Sequence, residues 1–520
     1  MPVDRAATIA KNSTYSVACH CGTLLLQFVV RTFFIKCLSI EYVGIQGLFS
    51  NILMLLSLAD LGMVNAMNFS LYGPLANSDQ YKIGQIMQFF KKIYRIIAIV
   101  VLFLGFTILP FLDFFLSERP DIPENLNIIY LFFVFNSAVS YLFAYKQTLI
   151  IADQRKYIVS VYTFTINLII CTLQCFLLYL FRSYYSYLIL MVVCTIMTNV
   201  FIAIKCNKDY PVLKETVIQP INKKEKKEIF TNIKSLFLYR VGGVVLNGTS
   251  NLIISKFFNI VILGLCSNVY YLVNSLNGII LQVLLSFLAT LGNVNALESK
   301  EHKIKVFYKT SLFCYWLYGY VCLACVLFLN AFITIWIGSE YILDNIALFS
   351  IVAVFYMDGV GFPLYAYRST MGLFSTVKYA PLIASVLNII LAVVLLKWIG
   401  VAGVYFAIAI SRFFCINCTD IYVVFKKGLQ DGFPYKFVIY YILFILLLGI
   451  VYLITKETTQ YIVLNSLFIN LIVDIVVYTT IYNVVFLSFF KKSSAFIELW
   501  IGIRRLITVS HHFSVRSFKI

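Results

Sequence analysis

The chain has 520 residues, of which 61% are hydrophobic and only 12% are charged, and its mean hydropathy is +0.90. A soluble chain carries roughly a quarter charged residues, so this composition excludes a soluble globular enzyme, a disordered protein and a nucleic-acid-binding protein. The 41 Lys and Arg outnumber the 23 Asp and Glu and leave a net charge of +18. What this charge means depends on where the positive residues lie.

Long apolar runs follow one another along the whole chain. A helix needs about 20 apolar residues to cross a bilayer, and fourteen runs come close to that length. They predict an all-α polytopic membrane protein with spans at about 12–36, 43–70, 93–116, 126–147, 157–181, 184–205, 231–255, 259–290, 308–336, 343–367, 379–399, 401–425, 436–455 and 461–489.

The positive residues concentrate in every second gap between these runs. The basic gaps contain Lys82, Lys91, Lys92 and Arg95, then Arg155 and Lys156, then Lys223, Lys224, Lys226 and Lys227, then Lys300, Lys303, Lys305 and Lys309, then Lys378, and then Lys426, Lys427 and Lys436. The intervening gaps contain few Lys and Arg. Because Lys and Arg are retained on the cytoplasmic side, both termini are predicted to be cytoplasmic, and most of the net charge marks topology.

One long hydrophilic stretch divides the chain. We predict an N-terminal lobe of six spans at 1–205, a cytoplasmic basic linker at 206–230 and a C-terminal lobe of six spans at 231–430. A final helix pair at 431–490 and a basic amphipathic cytoplasmic tail at 491–520 complete the chain. The tail is expected to lie along the inner leaflet, where anionic lipids are its partners.

Two internal matches link the predicted lobes. Gly47–Leu55 aligns with Gly264–Leu272 without a gap, and Leu142–Thr148 aligns with Leu364–Thr370. Each match joins helices of equal rank and direction in the two lobes. The chain is therefore predicted to contain two parallel, pseudo-symmetric repeats related by an axis along the membrane normal, an arrangement that suits alternating access.

Motifs for catalysis are not found in the sequence. There is no His-Glu-x-x-His, no phosphate-binding glycine loop and no long outer loop. We therefore expect a protein that is not an enzyme and that has no metal site or cofactor, apart from a coupling sodium ion or proton. Gly242, Gly243 and Gly248 lie within one predicted span and indicate close helix packing.

Ionisable residues inside the spans are the candidates for function, because they are costly in hydrocarbon. Arg31, Arg240 and Arg412 could bind an anion, although Arg31 is near enough to the outer surface to snorkel. Lys146 and Arg368 occupy equivalent cytoplasmic helix ends, where they either snorkel or capture a headgroup. The acidic candidates for ion coupling are Asp60 and Asp358, although either could instead pair with an arginine.

The segments Arg31-Thr-Phe-Phe, Glu41-Tyr-Val-Gly-Ile-Gln-Gly-Leu-Phe-Ser-Asn-Ile-Leu and Leu58-Ala-Asp-Leu-Gly62 carry a family resemblance. They resemble the opening of bacterial polysaccharide-biosynthesis membrane proteins. These are the O-antigen and capsule repeat-unit flippases of the multidrug/oligosaccharidyl-lipid/polysaccharide exporter superfamily. Helix count, two-lobe symmetry and the basic linker extend the resemblance over the whole chain.

The resemblance implies a bacterial cytoplasmic (inner) membrane flippase. Such a protein moves an undecaprenyl-pyrophosphate-linked oligosaccharide to the outer leaflet by alternating access, driven by an ion gradient, with polysaccharide polymerase and assembly proteins as partners. It also implies a cationic cavity, which Arg31, Arg240 and Arg412 could line. Two alternatives stay open: a cation-coupled multidrug exporter of the same superfamily and a membrane-embedded polysaccharide polymerase.

Overall fold

The structure is a computed structural model that describes residues 2–57, 63–214, 221–373, 375–432, 434–462, 464–493 and 496–498. Within these ranges the regular secondary structure is helical, and no strand occurs. The longer helices are α1 Pro2–Cys37, α2 Ile40–Leu56, α3 Met63–Ala76, α4 Gln80–Ile108, α5 Leu126–Leu142, α6 Ala144–Ala152, α7 Lys156–Phe181, α8 Tyr184–Asp209, α9 Lys223–Phe257, α10 Ile260–Ser286, α11 Leu288–Leu297, α12 Lys300–Trp336, α13 Asn345–Thr370, α14 Ala380–Ile399, α15 Val401–Ser411, α16 Cys418–Val423, α17 Tyr435–Thr459 and α18 Leu467–Phe490.

The predicted spans coincide with these helices. Eleven stretches of the described chain are long and apolar enough to cross a membrane, and the pair α5 and α6, bent by 44°, adds a twelfth. The other two predicted spans correspond to α9 and to the short apolar helix α2 followed by α3. The all-α, multi-span fold is therefore confirmed, while the side on which the termini lie stays a prediction.

The predicted linker and tail differ in how far the structure describes them. Helix α8 continues to Asp209 and α9 already begins at Lys223, so helices extend into both ends of the segment 206–230. Its lysine-rich sequence begins α9. Of the tail, residues 491–493 and 496–498 are described, and the rest of the predicted amphipathic segment lies outside the described residues.

The chain forms two compact units by its internal packing. The first comprises Met1–Ser275 with Lys378–Ile408, and the second comprises Leu276–Val377 with Ala409–Ile520. The predicted C-terminal lobe, 231–430, therefore contributes helices to both units. Helices α9 and α14 belong to the first unit because they pack against each other and α9 packs against α2 and α3.

A reciprocal contact between α2 and α10 in the first unit reveals the repeat. An added Cβ at Gly44 would lie 2.1 Å from the carbonyl oxygen of Ile260, and one at Gly264 would lie 2.6 Å from that of Ile40. Gly44 and Gly264 are 220 residues apart, and so are Ile40 and Ile260. Each helix therefore places an equivalent glycine against an equivalent isoleucine of the other. Only glycine permits so close an approach of two backbones.

Helix ends elsewhere follow this register of 220. Helix α1 ends at Cys37 and α9 at Phe257, whereas α4 begins at Gln80 and α12 at Lys300. The sequence match had aligned Gly47 with Gly264, a register of 217. The repeat is thus present, but its register at α2 and α10 differs by three residues from the sequence alignment. The contact depends on how closely the two helical backbones approach, and identical residues in the sequence do not determine this.

The glycines of α9 show which parts of the packing prediction hold. A Cβ at Gly242 would lie 2.4 Å from the backbone nitrogen of Leu382 in α14, and one at Gly248 would lie 3.1 Å from Leu55 in α2. Gly242 therefore needs a small residue, as predicted, whereas Gly248 is in close contact with the end of a flexible side chain. Gly243 has no atom within 4 Å of its added Cβ, so close packing does not explain that glycine.

The final helix pair is anchored to α12 in the second unit. The hydroxyl of Tyr478 donates to the main-chain oxygen of Tyr320 at 2.6 Å, and that of Tyr482 donates to the oxygen of Trp316 at 2.7 Å. Because unpaired polar groups are costly in hydrocarbon, these bonds fix the register of α18 against α12. Helix α17 packs against both.

Candidate functional site

Arg31 lies near the end of α1 among neutral polar and aromatic side chains of the first unit. Its Nη1 donates to Oε1 of Gln46 in α2 at 2.9 Å, and its Nε donates to Oδ1 of Asn268 in α10 at 3.4 Å. The guanidinium carbon lies 5.4 Å from the ring centre of Tyr271. Gln46 in turn donates to the hydroxyl of Tyr187 at 3.3 Å. Helices α2 and α10 therefore hold this cation in place, and α8 contacts it through Gln46.

The electrostatics of this position follow from the neutral partners of Arg31. Within the described part of the chain, no ion pair involves Arg31. Amide oxygens and an aromatic ring stabilise the guanidinium without neutralising it. Neutral partners do not cancel the charge of the guanidinium, and its N–H groups that do not bond Gln46 or Asn268 can contact a phosphate. The snorkelling alternative fits less well, since the side chain is held by α2 and α10.

Arg240 and Lys146 also form no ion pair among the described residues. Arg240 is half-buried in α9, and no carboxylate pairs with it among the described residues. Lys146 is half-buried just after the bend between α5 and α6, with its Nζ 5.6 Å from the ring centre of Phe143 and 5.9 Å from that of Tyr145. Both remain candidates for contact with an anion.

Arg412 and Asp358 form an ion pair within the second unit. Nη1 of Arg412, at the end of α15, donates to Oδ1 of Asp358 in the middle of α13. The two side chains differ in exposure, since 41% of the Asp358 side chain is exposed but only 9% of the Arg412 side chain. Asp358 was predicted to couple an ion or to pair with an arginine, and this structure shows the pairing.

Arg368 is buried, and this corrects one part of its prediction. Its side chain is 1% exposed, and Nη1 lies 3.4 Å from Oδ1 of Asp420, whose side chain is 5% exposed. A snorkelling cation would be exposed at its head. Arg368 instead neutralises a buried carboxylate between α13 and α16, because neither charge could be buried alone. As placed here, it has no free surface for a lipid headgroup, unlike Lys146.

The helix that carries Arg412 and Asp420 is irregular. Residues Arg412–Asn417 and Val424–Gly428 form π-helical segments on either side of α16. Such segments insert an extra residue into the turn, and they occur frequently at functional sites. Asn417 donates to the main-chain oxygen of Met357 at 3.3 Å. The two ion pairs and this bond place the irregular helix against α13.

Several side chains around Arg31 were not predicted. Gln46, Asn268 and Tyr271 come from α2 and α10, the two helices joined by the reciprocal glycine contact. Asn268 is fully buried. It belongs to the repeated segment Gly264–Leu272. Its position in a motif shared by both lobes is the sequence feature that could have identified it as a candidate. Of the acidic candidates, Asp60 lies outside the described residues.

Comparisons with known proteins rest on the fold. No protein-family profile and no curated protein matches the chain. Among solved structures, an inward-facing multidrug resistance MATE family transporter of the MOP superfamily is similar with a TM-score of 0.65 at 12% identity, and covers 78% of this chain and 95% of its own. The lipid II flippase MurJ in an inward closed conformation has a TM-score of 0.64 at 14% identity, with coverage of 92% and 98%.

A third similar structure is a MOP superfamily transporter from Pyrococcus furiosus, whose binding pocket is described as having reverse polarity. It has a TM-score of 0.52 at 11% identity and covers 82% of this chain and 96% of its own. At such identities the likeness shows the fold alone. The superfamily suggested by the sequence resemblance is the one to which these neighbours belong, and the chain has the fold of MOP superfamily transporters.

Proposed function

We propose that the protein is a flippase for an anionic lipid-linked substrate, namely an undecaprenyl-pyrophosphate-linked oligosaccharide used in O-antigen or capsule synthesis at the bacterial cytoplasmic membrane. The observation that carries this proposal is Arg31, a guanidinium held by neutral partners from α2 and α10. No ion pair involves this cation among the described residues, and a cation without a carboxylate inside a membrane protein is costly unless an anion visits it. Arg240 and Lys146 supply further positive charge of the same kind.

Alternating access would carry this substrate, and Asp358 is the proposed site for the coupling sodium ion or proton. Because Asp358 is paired with Arg412, it can take up a cation only when the guanidinium leaves it. An anionic group that binds Arg412 would release Asp358, so substrate and coupling ion would favour each other's binding. Asp60 remains a second predicted coupling residue.

A cation-coupled multidrug exporter is the alternative, and one observation favours it. Asp358 is substantially exposed, so a cationic drug could reach this carboxylate. The fold does not separate the two functions, because a MATE transporter and MurJ are similarly close to this chain. The sign of the substrate charge separates them.

The test is transport in proteoliposomes with a fluorescent undecaprenyl-pyrophosphate-linked sugar, followed by quenching from outside. We expect Arg31→Gln to lower translocation by about 10- to 100-fold, since a hydrogen bond to a charged group contributes about 1.5–3 kcal/mol. Lys36→Gln is the matched control, because Lys36 is an exposed cation in the last turn of the same helix. Equal rates for both variants would contradict the proposal.

A further inference from the structure

A pocket of about 490 Å³ lies between α12, α17 and α18 in the second unit. Its volume falls within the range of ligand-binding cavities. The wall is largely apolar and aromatic, with Leu312, Ile439, Leu443, Phe490, Tyr308 and Tyr440 among its residues. Neither Arg31 nor the ion pairs described above line it. The proposed transport function therefore leaves this pocket unassigned.

Two lysines mark one end of the pocket. Lys305 near the beginning of α12 and Lys436 at the beginning of α17 line it, and both are exposed. One carboxylate, Glu498, also lines it, so the charged side chains of the wall sum to a positive charge. The distribution of Lys and Arg predicts that this end faces the cytoplasm. A basic pocket between helices on that side suits an anionic lipid headgroup.

Tyr315 gives independent evidence for a ligand. This residue lines the pocket, is only 3% exposed, and its hydroxyl has no hydrogen-bond partner among the described residues. The ring packs against Phe437, Tyr441 and Phe444 with centroid distances of 6.2, 6.0 and 5.7 Å. A buried hydroxyl without an acceptor is costly. The wall of the pocket thus includes a residue with an unpaired buried hydroxyl as well as apolar side chains.

The spacing of these groups fits an amphiphile. Lys305 and Tyr315 are ten residues apart on α12, which corresponds to about 15 Å along the helix axis. A helical aromatic side chain leans toward the helix N-terminus, which in α12 is the lysine end, so we expect the hydroxyl to lie on the lysine side of its own backbone. A cation, a buried hydroxyl and an apolar wall therefore follow one another into the pocket.

We propose that this pocket binds an anionic glycerophospholipid of the cytoplasmic leaflet, at a site separate from the transported substrate. Its phosphate contacts Lys305 and Lys436, an ester oxygen accepts a hydrogen bond from the Tyr315 hydroxyl, and an acyl chain covers the apolar wall. The hydroxyl favours this lipid over a polyprenyl phosphate, because an isoprenoid chain has no oxygen beyond its headgroup.

The test measures lipid binding to the purified full chain by native mass spectrometry and thermal unfolding, with phosphatidylglycerol and phosphatidylcholine as probes. We expect phosphatidylglycerol to bind about 30-fold more tightly, since each basic contact contributes about fivefold. The double variant Lys305→Gln, Lys436→Gln should lose this preference. The control Lys91→Gln, Lys92→Gln in α4 removes the same charge outside the pocket and should keep it. Equal binding of both lipids to the unchanged protein, or an unaltered preference in the first variant, would overturn the proposal.

A second variant addresses the hydroxyl while keeping the ring packing. Tyr315→Phe should weaken phosphatidylglycerol severalfold and leave an ether-linked analogue, which lacks the ester carbonyl, at the affinity that it has for the unchanged protein. Undecaprenyl phosphate serves as competitor. If it displaces phosphatidylglycerol at equal concentration, the pocket holds the substrate lipid and the proposal of a separate phospholipid site is wrong. Because these readouts measure binding, they do not depend on transport activity.

Discussion

The reciprocal glycine contact between α2 and α10 makes a quantitative prediction. Gly44→Ala places a methyl group 2.1 Å from the Ile260 carbonyl oxygen, and Gly264→Ala places one 2.6 Å from the Ile40 oxygen. Ordinary contacts of a Cβ begin at 3.4 Å. The obstructing atoms belong to the backbone, so they cannot move aside as a flexible side chain can. The two helices must therefore separate by roughly 1 Å or more.

The expected free energies follow from two opposing effects. Overpacking costs about 1–3 kcal/mol, whereas replacing a helical glycine by alanine returns about 0.5–1 kcal/mol. Gly44→Ala should therefore destabilise the protein by about 1–2 kcal/mol, and Gly264→Ala by somewhat less. Since one separation of α2 from α10 relieves both clashes, the double variant should cost less than the sum of the two single variants.

Thermal unfolding in detergent tests this prediction against a glycine of another helix. Gly449 in α17 has no atom within 4 Å of its added Cβ, so Gly449→Ala should leave the unfolding temperature unchanged or raise it. Gly44→Ala should lower it. If both variants unfold at the same temperature, or if the costs of Gly44→Ala and Gly264→Ala add fully, the close helix crossing inferred here is wrong.

Further predictions concern the ion pairs and the final helices. Asp358→Asn should destabilise the protein more than Arg412→Gln does, because it leaves a buried guanidinium without its carboxylate, and chemical denaturation of the two variants compares them. If transport is coupled through Asp358, Asp358→Asn should also abolish the dependence of the transport rate on the sodium or proton gradient. Replacing one partner of the buried pair Arg368 and Asp420 by a neutral residue should lower the free energy of unfolding by about 3–5 kcal/mol. Replacing both partners by apolar residues should recover most of this loss. A single variant as stable as the unchanged protein would contradict this prediction. Tyr482→Phe should cost about 0.6–1.7 kcal/mol by removing its interhelical hydrogen bond, and an unchanged unfolding temperature would speak against that bond.

The length of the apolar runs predicted the helices well, because the thickness of the bilayer determines how long a spanning apolar helix must be. The fourteen spans needed no knowledge of tertiary contacts, and each overlaps one or two helices of the described residues. Composition could not reveal the break at Phe143, nor the π-helical segments around α16, since these depend on neighbouring helices. The sequence likewise detected a repeat but placed its register three residues away from the contact of Gly44 with Ile260.

The candidate cations illustrate the same limit at the level of single residues. Sequence position identified Arg31, Arg368 and Arg412 as charges within helices, but it could not decide which of them has a carboxylate opposite. Arg368 resembles a snorkelling cation by its place at a helix end, yet Asp420 pairs with it. Arg31 has amides and an aromatic ring instead. Pairing depends on the rotation of each helix, which apolar periodicity leaves open where a helix is apolar on all sides.

The central claim is that the transported substrate carries negative charge, and one measurement tests it most directly. Translocation in proteoliposomes is compared for one fluorescent sugar attached to undecaprenol through a pyrophosphate or through a neutral linkage, with a cationic dye in a parallel assay. We predict that only the pyrophosphate-linked lipid is transported and that the Arg31→Gln variant loses this transport. Equal transport of the charged and neutral lipids, or transport of the cationic dye instead, would contradict it.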